Sequence, residues 1–207
     1  MKRRDGFSLI EMLVVIAIIA ILSGALMVGF GRITKSAQRA KAQETVSNAA
    51  TALGIIQQKL KAWPKVMIQH QGGDTEGMGM TKEVARIFAK HNLMGVTYKK
   101  NGGVYEPVGA DRFGIVDPWA VAVLKRNKNA TDTAAVPSGG TVKSHIVYYA
   151  LDLNMDGFTE ASVNGTQVKV RAPAIAWCAG ADGVLADYKK LGRTDDVYSW
   201  RKDQEEK

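Results

Sequence analysis

Glu11 is the residue of this chain whose setting most demands a chemical explanation. It stands inside LIEMLVVIAIIAILSGALMV, residues 9–28, where an unpartnered carboxylate costs a few kcal/mol in lipid. If the chain were cut after Gly6, the new α-ammonium group of Phe7 would lie one helical turn from Glu11. An identical neighbour displaced along the helix axis could then offer its amine to this carboxylate, so that both charges are satisfied only in an array. A second oxygen-rich group is Asp152, Asn154, Asp156 and Gly157, spaced D-x-N-x-D-G. Short oxygen side chains at alternate positions, with a Gly for the sharp turn, form the first half of a calcium loop, and Glu160 falls at its ninth position. Val163 at the twelfth position supplies no bidentate carboxylate, so the loop departs from an EF-hand, and Asx turns within a hairpin are the competing reading. His70, His91 and His145 are scattered and form no pair at metal-ligand spacing. No nucleophile elbow, P-loop or Gly-rich dinucleotide turn occurs, and no bond chemistry is expected of the chain.

The elements that would position these groups divide the 207 residues into an apolar N-terminal portion and a polar remainder. Lys2, Arg3 and Arg4 precede the apolar run, which at about 20 residues is long enough to cross a bilayer as a helix and longer than a signal-peptide core. The formal charge is +8, but the basic residues are dispersed and lack interleaved aromatics, so nucleic acid is not an expected partner. Cys178 is the sole cysteine; it cannot form an intramolecular disulfide and reads as a small buried hydrophobe in a strand.

Helical spacing continues beyond the apolar run through Ile33, Ala37, Ala40, Ala49, Ala52, Leu53, Ile56 and Leu60, with Pro64 the first proline. One helix over residues 7–63 is therefore expected, interrupted in pattern only by Gly54. Residues 64–80 carry Gly72, Gly73, Gly77 and Gly79 and read as loop. Thr81 opens a short amphipathic helix with Val84, Ile87 and Phe88 on one face and Gly95 as its stop. Asp117-Pro118-Trp119 reads as a turn leading into a strand over residues 120–124, and residues 125–143 as an exposed loop. Strands are expected over residues 144–151, 158–163, 167–172 and 174–178, with Asn164-Gly165 as a hairpin turn. The fold class is thus α+β: a long N-terminal membrane-spanning helix packed on a C-terminal antiparallel sheet.

Gly6-Phe7-Ser8-Leu9-Ile10-Glu11, with its short basic leader and long apolar helix, resembles the prepilin leader of type IV pilins and type II secretion pseudopilins. The resemblance implies that a prepilin peptidase cleaves after Gly6 and methylates the Phe7 amine, and that copies pack through the N-terminal helix, with Glu11 and Phe7 as assembly residues. Loss of Lys2, Arg3, Arg4 and Asp5 would lower the formal charge from +8 to +6. It also implies a division into a leader (1–6), a transmembrane half-helix (7–30), an amphipathic half-helix (31–63) and a periplasmic head (64–207). The implied location is a single pass through a bacterial inner membrane. The implied partners are other copies of the chain in a helical filament, the inner-membrane secretion platform, minor pseudopilins and membrane lipid.

Two features of the head resemble major pseudopilins. Asp-Pro-Trp matches their Asp-Pro-Trp-Gly step, with Ala120 in place of the Gly. The C-terminal loop, Gly180-Ala181-Asp182-Gly183 through Thr194-Asp195-Asp196-Val197-Tyr198-Ser199-Trp200, resembles one that encloses calcium in that family, which makes Asp182, Asp195 and Asp196 its implied ligands. The stretch from Tyr188 to Arg193 departs from the family, which is Gly-rich and acidic there. Most type IVa pilins close this loop with two cysteines, and one cysteine favours the pseudopilin. A type IV pilus subunit is the alternative within the family, and a membrane-anchored periplasmic enzyme a remote one.

Overall fold

A computed structural model describes residues 9–68, 77–185 and 195–201, without the side chains of residues 25–32. The chain divides into two compact units, Met1–Gln38 and Arg39–Lys207. Helix α1 (Leu9–Leu60) is the first element. Proline is absent from it, so no lost hydrogen bond breaks the ladder before Pro64.

Within the second unit, α1 buries Ala42, Val46, Ala49, Ala52, Leu53 and Ile56, a stripe at spacings of three and four that faces one core. Leu60 lies outside it and is exposed. Gly54 is also buried, and a Cβ built there would meet only Pro173 Cγ, at 3.5 Å. Gly54→Ala should therefore stabilise the protein by about 0.5–1 kcal/mol, since the added methyl fits and the unfolded chain loses freedom. Urea unfolding would check this, and a loss of stability would mean that the helix cannot accept the methyl beside Pro173.

The segment expected to be loop holds more structure than its glycines suggest: a single helical turn, α2 (Lys65–Ile68), buries Met67, and β1 (Met78–Gly79) pairs with the later strand β4 (Tyr148–Leu151). Helix α3 (Lys82–Lys90) starts after Thr81 as expected and buries Val84, Ala85, Phe88 and Ala89. It ends at His91, ahead of Gly95, because Asn92 and Met94 themselves take left-handed conformations. A two-stranded hairpin follows, β2 (Tyr98–Asn101) and β3 (Val104–Pro107), turning on Gly102 and Gly103.

The expected strand over residues 120–124 is instead helix α4 (Pro118–Arg126). Asp117 is its N-cap, with Oδ1 accepting hydrogen bonds from the backbone N–H groups of Trp119 and Ala120, and Pro118 occupies the first helical position. Proline there costs no hydrogen bond and brings the helical φ with it. The pair that reads as a turn before a strand is therefore a helix start.

Strand β4 begins only at Tyr148, because residues Val142–His145 form a 3-10 turn closed by a Thr141/Ser144 capping box. Strands β5 (Thr159–Val163) and β6 (Thr166–Val170) form a hairpin around Asn164-Gly165, both left-handed as that two-residue turn requires. Strand β7 (Ala174–Cys178) lies where the sequence places it, and β8 (Val197–Tyr198) completes an antiparallel sheet of order β1-β4-β7-β8.

The sheet is covered on both sides. Ala174, Ala176 and Cys178 join the core that contains α1, α3 and α4, whereas Ile175 and Trp177 join a second core under the β5–β6 hairpin, with Val163, Val170 and Trp200. Two-sided burial is why β7 reads as an unbroken apolar run, AIAWC.

Candidate functional site

Two places in the described structure gather the residues singled out above. One is the head's C-terminal corner, where three loops meet at a buried ion pair. Asp117 and His145 are both fully buried, and His145 Nδ1 lies 2.7 Å from Asp117 Oδ2. The other ring nitrogen, Nε2, is 2.8 Å from the carbonyl oxygen of Gly139.

A carbonyl only accepts, so Nε2 carries a hydrogen, and a second proton must lie between Nδ1 and the carboxylate for that contact to attract. The pair therefore holds one titratable proton. Burial pushes the Asp117 carboxyl upward, only partly offset by the His145 bond, and the Asp117 contact raises His145 against the effect of its own burial. A pair with no exposure cannot meet a substrate, and its role is to join the start of α4 to the 139–145 segment. The sequence hid it: the partners are 28 positions apart, and no spacing rule links them.

The C-terminal loop packs on this pair. Gly183 lies so close that a Cβ would fall 2.9 Å from His145 Nε2, and one on Gly139 would fall 2.6 Å from the Asp182 carbonyl oxygen. Asp195 closes the loop, Oδ2 accepting from the backbone N–H groups of Ala181 and Asp182. Asp182 Oδ1 accepts from Val184 N–H, and buried Asp196 accepts from the Tyr198 hydroxyl. The three acids are thus brought to one loop, where Asp195 Oδ2, Asp182 Oδ1 and Asp196 Oδ2 accept from nearby donors. Among the described residues no three His, Cys, Asp or Glu side chains are grouped to hold a metal ion. Residues 186–194 lie outside the described part of the chain.

In the D-x-N-x-D-G loop, Asp152 is 3% exposed, and its Oδ2 accepts from Gly157 N–H at 2.9 Å. Asn154 and Asp156 are exposed and cap the backbone N–H groups of Asp156 and Phe158, the Asx turns expected of a hairpin connection. Glu160 is on β5 opposite Lys169 and forms an ion pair with it at 3.3 Å.

The other place is the N-terminus. Gly6 and Phe7 lie outside the described residues. Glu11 sits in the first turn of α1, between the apolar side chains of Leu9, Ile10, Met12 and Leu13, which are all more than half exposed. Exposure continues through Leu22, an apolar surface that a free protein in water would not keep uncovered. Among the described residues no helix is long and apolar enough to cross a membrane. Side chains of this apolar run are described over residues 9–24, about 24 Å of helix.

Residues 1–27 match the prokaryotic N-terminal methylation motif. The match indicates a type IV pilin-like prepilin leader, and with it a prepilin-processed chain. Neither a curated protein nor a solved structure gives a match. The leader accounts for the basic residues before Gly6 and for an acid in the first turn of an apolar helix.

Proposed function

We propose that this chain is a structural subunit of a pseudopilus, the short periplasmic filament that drives export in type II secretion. The methylation motif over residues 1–27 carries the reading, and the exposed apolar surface around Glu11 supports it. Residues 9–28 anchor the subunit in the inner membrane until an energised platform extracts it. Neighbouring helices then cover the apolar surface, and the Phe7 amine of one copy neutralises Glu11 of another. The subunit performs no bond chemistry; its work is assembly.

One observation favours this over the type IV pilus reading. Cys178 is buried in β7, where burial pushes its thiol up to about 12. No second cysteine exists to close the C-terminal loop. Asp195 and the β7–β8 pairing hold that loop instead.

Mass spectrometry of the protein from native membranes is the direct test. The expected result is an N-terminus at N-methylated Phe7, lacking residues 1–6. An intact Met1 terminus would overturn the leader reading and the filament with it.

A further inference from the structure

We propose that the loop from Asp152 to Gly157 binds a calcium ion. Its anchor is the Asp152 carboxylate, 3% exposed. The bond from Gly157 N–H to Oδ2 holds this group across the mouth of the loop. The other oxygen, Oδ1, is buried and has no hydrogen-bond partner. No Lys, Arg or His among the described residues forms an ion pair with it. A buried carboxylate oxygen without a donor is costly, and a hard cation is the ligand that relieves it.

The rest of the loop suits such an ion. Asn154 and Asp156 carry oxygens at the alternate positions used in calcium loops; Asn154 Oδ1 accepts from Asp156 N–H, Asp156 Oδ1 from Phe158 N–H and Asp156 Oδ2 from Asn154 Nδ2, and each oxygen keeps a lone pair for a cation. Trp63 Nε1 donates to the Asp152 carbonyl oxygen at 2.6 Å, which fixes the anchor residue against the end of α1. Glu160 stays with Lys169, so the protein supplies two carboxylates and one amide, and water and backbone carbonyls fill the remaining positions. That small charge count selects calcium, which tolerates irregular oxygen shells, over magnesium, which requires a near-ideal octahedron. It also sets the affinity in the weak extracellular class, with Kd about 0.1–1 mM.

The test uses the full-length chain in mild detergent, unfolded thermally in about 5 mM CaCl2, in MgCl2 at the same concentration, and in EDTA. Calcium should raise Tm by about 3–5 °C over EDTA, and magnesium by less than half of that. Asp152→Asn still offers an oxygen to Gly157 N–H but loses the anionic ligand, and Asp156→Asn alters an exposed position that leaves the core untouched. Each variant should lose most of the calcium shift. No shift in the wild type overturns the proposal, as does an equal shift with magnesium. A shift kept in full by both variants places any ion elsewhere, for example in the C-terminal loop, and overturns it too.

Discussion

Asp117→Ala is expected to cost about 3–5 kcal/mol, a large part of the whole stability of a domain this size. Three losses coincide. His145 keeps its hydrogen bond to Gly139 but loses the carboxylate at Nδ1, at a position with no exposure to solvent. Helix α4 loses its N-cap, worth about 1 kcal/mol. The C-terminal loop, packed on the same imidazole through Gly183, loses a rigid support. Chemical denaturation measures the total, and a cost below about 1 kcal/mol would mean that the pair contributes only the cap.

The pair also sets the pH response. His145, held up by its Asp117 contact against its own burial, titrates higher in the folded chain than in the unfolded one, so the native state keeps a proton that the unfolded state releases above the ordinary histidine value of 6.5. Stability from this source is fully present below 6.5 and falls as pH rises through the folded pair's own pKa, at up to about 1.4 kcal/mol per pH unit. Asp117→Asn should flatten that slope while losing less stability than Asp117→Ala, since the amide oxygen still caps α4 and its N–H₂ can donate to Nδ1. An alkaline slope unchanged in Asp117→Asn would assign the proton to another group.

The second large effect lies at the other end of the chain and rests on the proposed filament. Glu11→Gln keeps size and shape but removes the charge, so a neighbour's Phe7 ammonium would be buried without a counter-ion. Breaking one side of a buried pair costs about 3–5 kcal/mol, a loss of about 10²–10⁴-fold in each subunit contact. The expected outcome is leader cleavage and membrane retention at wild-type levels, with filaments absent from sheared material and from electron micrographs. Thermal unfolding of the head should be unchanged, which separates this variant from Asp117→Ala. Normal filaments from Glu11→Gln would remove the charge-pairing step from the proposal.

The parts of this protein legible in its residues are those in which a local rule and the tertiary contact agree. Of the helical period read from Ile33 to Leu60, the positions Ala49, Ala52, Leu53 and Ile56 became part of the buried stripe of α1, whereas Ile33, Ala37, Ala40 and Leu60 are exposed and Ala42 and Val46 complete the stripe. Asn164-Gly165 became a tight hairpin, because few residues besides Asn and Gly take that turn's left-handed conformations cheaply. The run at 174–178 became a strand buried on both faces. Glu11 among apolar residues, close behind Gly6-Phe7, identified the leader without any coordinates, because one misplaced charge with a cleavable glycine upstream is a covalent and electrostatic signal in its own right.

Four features needed the third dimension. Asp117-Pro118 is compatible locally with a turn before a strand or with a helix cap, and packing of Trp119, Ala120 and Leu124 into the core selects the helix. The Asp117–His145 pair and the Asp195 closure join residues 28 and 14 positions apart, and neither distance corresponds to a helical or strand period. The vacant Oδ1 of Asp152 is likewise a matter of burial, because D-x-N-x-D-G spells the same residues whether or not its first carboxylate is cut off from water. The sequence determined which groups carry charge and where the chain must be helical. Folding alone decided which of those charges lost their solvent, and a charge without solvent must find a proton, an amide or a cation.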